Sequence, residues 1–457
     1  MKRFLWLGFV LCLDLICSGC GDTFRPIIIP NPPTFPNPKA AHTVVAINDN
    51  GAVVPGTAMV IDVSGDTDVS VANVGVAPVH AVQQAASQVL VVNHSVAGPL
   101  NQGDSITKLN FSGTVIASAT TITLPANSGP SFVAVAPSDA TAYVTLPNLV
   151  PDPNFPTDNA VGVVNTVSNN MFATIKVGSN PVALAVTADK KKLYVANQGS
   201  NSVHGFNTLD RSSRTVTGSF NAPLWLIARS DDQRVYVLNG NGIVSTIDTT
   251  STAGPDNVID ASVSAPSAAY MLYDSNLNRL YIPGGAQLTI LDVSQSTPQV
   301  LTGGPIAIPT VVPSLRGTSD PCSSTSAQTL TVAAVAALPD GTRAYVGAYY
   351  EDASGNFCPQ VTVINVANNT IKSSFAVPGF PAYDAFCATT RFRMAMAAGG
   401  DSSRAYLSSC DGGNVNIIDT TSESYILNLP APVGTRPPIP PSVQNPPQNP
   451  VFLFAGP

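Results

Sequence analysis

The amino-acid sequence predicts an all-β fold, and three observations lead there. Charged residues make up only 11% of the 457, against roughly 25% in ordinary soluble domains. The chain holds 34 Gly and 40 Pro, which leaves little room for long helices, yet 44% of it is apolar, enough to bury a large core. Aliphatic and β-branched residues alternate with turn residues along most of its length, the period-2 pattern of strands. The net charge is −7 and no basic cluster follows the first few residues. Neutralising a phosphate backbone requires such a cluster, so nucleic acid is not an expected partner.

Residues 1–19 carry the three parts of an export signal. Lys2 and Arg3 give a positive start, Phe4 to Ile16 an apolar stretch broken by Asp14, and Ser18 and Gly19 a small-residue end before Cys20. The stretch is too short to span a bilayer as a helix, which takes about 20 apolar residues. The ending resembles the lipobox of bacterial lipoproteins, in which the cysteine thiol receives a diacylglycerol. Cys17 departs from it, standing where that family usually has Leu. The resemblance implies lipidation at Cys20, attachment to the membrane through the lipid, and a place in the bacterial cell envelope, periplasmic or facing the outer membrane. Residues 20–42 then read as a tether. Pro26, Pro30, Pro32, Pro33, Pro36 and Pro38 hold it extended, and polyproline II at about 3.1 Å per residue sets the next domain well off the membrane.

Residues 43–457 are organised by an internal repeat. Its phrases are Lys192-Leu193-Tyr194-Val195, Arg234-Val235-Tyr236-Val237, Arg279-Leu280-Tyr281-Ile282, Arg343-Ala344-Tyr345-Val346 and Arg404-Ala405-Tyr406-Leu407, with weaker copies at Thr141 and Gln88. They recur every 42 to 64 residues, the length of one four-stranded propeller blade with variable loops. Each phrase follows a short apolar strand and a polar turn, the strand usually opened by a Pro, as from Pro181 to Lys190. A third strand ending in Asn or Asp and a fourth strand come after it. The fold predicted is therefore a single β-propeller of four-stranded blades. The pattern resembles the YVTN-type propeller repeat, with KLYVAN at Lys192 to Asn197 and LPDG at Leu338 to Gly341 as close copies. That family, lactonase-like and surface-layer-type propellers among its members, is functionally mixed.

The third-strand ending occurs at Asp62, Asn110, Asn165, Asn207, Asp248, Asp292, Asn365 and Asp419, which predicts eight blades, with seven as the alternative. The unit ending at Asp62 lacks an inner strand, and Asn449 to Ala455 imitates one. The C-terminal strand is thus expected to complete the N-terminal blade and close the ring, carried there by the Pro-rich bridge 431–449. Closure removes the sheet edges that invite aggregation. The recurrent Tyr reads as a packing residue with a bonded hydroxyl, and the recurrent Asn or Asp as an Asx-turn former.

Outside the signal, Cys322, Cys358, Cys387 and Cys410 form an even set in an oxidising compartment. Cys322 and Cys387 each precede an inner strand, and Cys358 and Cys410 each fall between a second and a third strand. In a propeller both connections emerge on one face of one blade, which predicts the pairs Cys322–Cys358 and Cys387–Cys410. The loops expected to be long, 94–104, 147–159, 303–327 and 349–359, belong to that face too. Turns on the opposite face are short and alike. Binding groups favour loops on rigid scaffolds, so the loop-rich face is the expected working surface. Its candidate ligand-binding residues are His80, Phe132, Trp225 and Phe452, each two positions after an inner-strand Pro, with Arg393 where blade eight lacks one. Together they suit an anionic or aromatic ligand.

Catalytic signatures are scarce. Among four histidines there is no HExxH, no CxxC lies beyond the Cys17–Cys20 pair of the signal, and no G-x-S-x-G or P-loop occurs. No metal and no cofactor is expected. The function expected is a binding or assembly module taking a protein, glycan or small ligand on the loop-rich face. The alternative, a lactonase-like hydrolase using the central funnel, rests on the resemblance and would draw on His80, His94, Glu351 and Arg393.

Overall fold

The computed structural model describes residues 43–51, 53–94, 103–136, 139–311, 316, 320–323, 329–381, 385–434 and 446–456. The expected export signal, Cys20, the expected tether, most of loop 94–104, much of loop 303–327 and the middle of the Pro-rich bridge lie outside them. The described residues form eight antiparallel sheets of four main strands each, arranged as the blades of one propeller. Blade 4 shows the plan: Pro181–Val186 inside, then Lys192–Asn197, Ser202–Asn207 and Ser213–Arg214 at the rim.

Burial follows position in the blade. The second strand Lys192–Asn197 is buried throughout, because neighbouring blades cover both its faces. Such strands read as unbroken apolar runs. The outer strand Asn170–Lys176 of blade 3 alternates between exposed and partly buried, since only one face meets protein. Blade 1 is completed as the sequence predicts. Its order from the rim inward is Thr67–Val76, Pro55–Asp62, Thr43–Asp49 and Asn449–Ala455. The last two pair from Val44 opposite Ala455 to Asp49 opposite Asn449. Thr57 also donates from Oγ1 to Oε1 of Gln448 at 2.8 Å.

The repeat residues have structural work. Asx turns close the third strands: Asn165, Asp248 and Asp419 accept from the backbone N–H two residues on, at 2.9, 2.9 and 2.8 Å. The basic residue before each Tyr reaches into the following blade. Lys192 Nζ donates to Ser251 O at 2.7 Å, Arg234 Nε to Ser296 O at 3.0 Å and Arg279 Nη1 to Val366 O at 2.8 Å. Arg343 bonds Glu423 at 3.1 Å, and Arg404 Nε bonds Asp66 at 3.0 Å. The repeat thus writes a row of inter-blade staples. Blade 3 carries Thr141 at this place, too short to cross. There an open cleft of about 760 Å³ separates blades 3 and 4, lined by Thr141, Lys190, Thr208 and Arg211.

Both expected disulfides are present, Cys322–Cys358 and Cys387–Cys410. One expected loop is different. Most of 349–359 is strand, because Arg343–Glu351 and Asn356–Asn365 continue pairing to Glu351 opposite Phe357. Apolar Tyr350, Phe357 and Cys358 bury fully there, which favours extending the ladder over an irregular loop. Only a tight turn remains, in which Asp352 accepts from the Ser354 and Asn356 N–H groups.

Candidate functional site at the channel mouth

Inner strands start at the loop-rich face and run toward the short turns. A side chain near the start of an inner strand therefore stands at the mouth of the central channel. The structure brings four sequence candidates together here. His80 stacks on Phe132 with centroids 4.0 Å apart, Phe132 meets Trp225 edge-on at 5.2 Å, and His80 lies 5.0 Å from Phe452. Phe392 closes the circuit, 6.0 Å from Trp225 and 5.2 Å from Phe452. Five rings from blades 2, 3, 5, 8 and 1 thus form a closed collar around the axis, with offset and edge-to-face contacts that aromatic quadrupoles favour.

Over this collar lies Arg391. Its guanidinium sits 4.7 Å from the Trp225 ring centroid and 5.6 Å from that of Phe132. It reaches across the channel, donating to Val182 O of blade 4 at 3.0 Å and Leu224 O of blade 5 at 2.8 Å. Inner strands have no neighbour on their axial side, so these carbonyls are free to accept. Rings and carbonyls pack around the guanidinium, yet the side chain is exposed to solvent at the mouth. Burial pushes its pKa down to about 10. No carboxylate pairs with it among the described residues. Two of its five N–H donors serve the lip of the channel, and the rest are available to an anion.

His80 is neutral. Burial, then the charge of Arg391, lowers its pKa to about 3. Nδ1 accepts from the Val133 N–H at 3.4 Å, which leaves the ring proton on Nε2. Arg393 stands apart from the collar. It grips Asp411 with two bonds, Nε at 2.7 Å and Nη2 at 3.0 Å, pairs with Glu351, and lies over Phe357 at 4.8 Å. Burial opposes its charge, yet the hydrogen bonds of Asp411 hold its pKa above the ordinary value. His94 forms a third grouping with its Nδ1 3.8 Å from buried Asp104, which accepts from Ser128 and the Gly129 N–H. The alternative catalytic set is therefore distributed over three places: His80 in the collar, His94 on Asp104, and Glu351 on Arg393.

Arg391 and Phe392 are functional candidates that the Pro-based register did not reach. They belong to the connection from blade 7 into blade 8, which carries the short helix Ala385–Thr389. The Cys387–Cys410 bond fixes this helix to blade 8, and Asn449 Nδ2 donates to Cys410 O at 2.8 Å. Blade 8 has no Pro to mark its strand start. Counting back from Tyr406, which faces Ala397, would have located Arg391 and Phe392 just ahead of the strand.

Fold and site together define an eight-bladed β-propeller whose channel is stoppered at one face by an aromatic collar under an unpaired arginine. No protein-family model matches the chain, and no curated protein matches it in sequence. Solved structures similar to it include apo AztD from Citrobacter koseri, at TM-score 0.54 and 11% identity, covering 90% of this chain and 97% of that one. A functionally unknown protein from Desulfotomaculum acetoxidans DSM 771 is similar at TM-score 0.51 and 10% identity, over 74% of this chain and 96% of that one. At such identities the likeness is one of fold.

Proposed function

We propose that this protein is a lipid-anchored binding or assembly module of the cell envelope, and that its loop-rich face seats an anionic group of its partner or ligand on Arg391. The observation that carries the reading is the unpaired guanidinium held over Trp225 and Phe132 at the channel mouth. An anion placed there gains charge-assisted hydrogen bonds from a group already held in place by two carbonyls, so little order is lost on binding. The Cys387–Cys410 bond braces the segment that presents it, and two disulfides suit an oxidising compartment. The propeller fold shared with AztD is compatible with such a module.

The face is tested by a photo-crosslinking residue at Ala388, exposed beside Arg391, or at Lys191 on the short-turn face. Irradiated cells are expected to give discrete adducts from position 388, at least tenfold weaker when Arg391→Ala is added. Adducts from position 191 alone, or adducts indifferent to Arg391→Ala, reverse the reading. The anchor is tested by fractionation. Cys20→Ala is expected to move the protein from the membrane to the soluble fraction, and unchanged membrane retention refutes lipidation at Cys20.

A further inference from the structure

We infer that the channel holds a second, separate site: an apolar chamber beneath the aromatic collar, entered from the short-turn face, that takes a small neutral aromatic molecule. The chamber measures about 340 Å³, within the range of small-ligand pockets. Trp225, Tyr270, Phe392 and Phe452 roof it. Its walls come from Met271 and Leu272 of blade 6 and from the later halves of the inner strands of blades 7, 8 and 1, ending at Pro339, Ala398 and Ala455 beside the short turns. The collar and Arg391 thus separate it from the loop-rich face.

Its shape has a sequence cause. The inner strands of blades 7 and 8 read Thr331-Val-Ala-Ala-Val-Ala-Ala337 and Met394-Ala-Met-Ala-Ala398, whereas blade 5 has Pro223-Leu-Trp-Leu-Ile-Ala228. The alanines of blades 7 and 8 leave volume that Leu, Trp and Ile take up in blade 5.

The lining sets the ligand class. It includes no Asp, Glu, Lys, Arg or His, so a charged ligand would lose its hydration without compensation. The Tyr270 hydroxyl already accepts from the Val335 N–H at 2.8 Å. Aromatic edges above and the thioethers of Met271 and Met396 at the sides suit a flat π-system. The axial edges of the inner strands offer carbonyls, like those that hold Arg391, for a single N–H or O–H of the guest.

N-phenyl-1-naphthylamine, neutral, aromatic and carrying one N–H, is the probe. The chain has two tryptophans, Trp6 and Trp225, so the Trp6→Phe protein reports from the chamber roof alone. Titration is expected to give saturable one-to-one probe fluorescence with matching loss of Trp225 emission. Ala337 and Ala398 are half-buried and line the chamber's lower end, so Leu at these positions takes up part of its volume. Ala337→Leu with Ala398→Leu is expected to weaken uptake at least tenfold with an unchanged melting temperature. If the double variant melts lower, Ala398→Leu alone carries the comparison, with an expected weakening of at least threefold. Absence of saturable uptake, or equal uptake by well-folded filled variants, overturns the inference.

Discussion

Replacing Asp256 by Ala is expected to destabilise the propeller by about 3–5 kcal/mol, the cost of removing one member of a buried ion cluster. The carboxylate has no solvent exposure and gathers three partners. Arg214 binds it with two bonds, Nε at 2.9 Å and Nη2 at 3.1 Å. Lys192 Nζ lies at 3.1 Å and the Tyr194 hydroxyl donates at 2.8 Å. The hydrogen bonds of Asp256 raise the Arg214 pKa, and burial together with the neighbouring carboxylate raises that of Tyr194. Alanine at 256 strands two cations between blades 4 and 5 with only carbonyls to face. Urea unfolding of the purified protein measures the loss as a lower midpoint at unchanged slope. Removing the cations as well, with Lys192→Met and Arg214→Met on the Asp256→Ala background, is expected to recover part of it. A loss below 1 kcal/mol for Asp256→Ala shows that water satisfies the cluster and that the staple between these blades is weak.

Deleting residues 449–457 is expected to cost about 5 kcal/mol or more. Val451 and Leu453 are buried in the closing strand, each contributing roughly 1.5–3 kcal/mol by leaving water. Phe452 leaves the collar with them, and six residues of Thr43–Asp49 lose their ladder partners. The remaining edge is buried along its full length in the closed ring and apolar from Val44 to Ile47, the type of edge that pairs with other chains. Thermal melting and light scattering of the truncated protein measure both effects. An unchanged melting temperature and a monodisperse particle show that the other blades hold the ring without the shared one.

The legible parts of the molecule were those that repeat. Spacing, Tyr strands and Asx endings give eight blades, because each blade solves the same packing problem with the same residue types. The C-terminal imitation of an inner strand shows the closure, and placing cysteines within the repeat gives both disulfides. Counting two residues past each Pro brings His80, Phe132, Trp225 and Phe452 to one collar. The rest was hidden where symmetry breaks. Arg391 and Phe392 come from a connection with no counterpart in other blades, and the pairing of Arg393 with Asp411 depends on distances that no local spacing encodes. Hairpin 343–365 extends past its expected end because aromatic and cystine burial overrides its turn-like composition. The alanine shelf was in view as letters, but its volume exists only once the blades surround an axis.

The shared blade also sets a timetable for folding. Every other blade is continuous in sequence and can form from a local stretch as it emerges. The N-terminal blade has three of its strands among the first residues of the domain, and waits almost the entire length of the chain for the fourth. Bringing Val44 to Ala455 pays the loop entropy of about four hundred residues in a single step, the type of long-range contact that slows folding. Until that step the chain is an open arc with two reactive ends and no channel, and neither the collar nor the chamber exists. Strand Asn449–Ala455 is the latch, and the ring does not close until it has arrived.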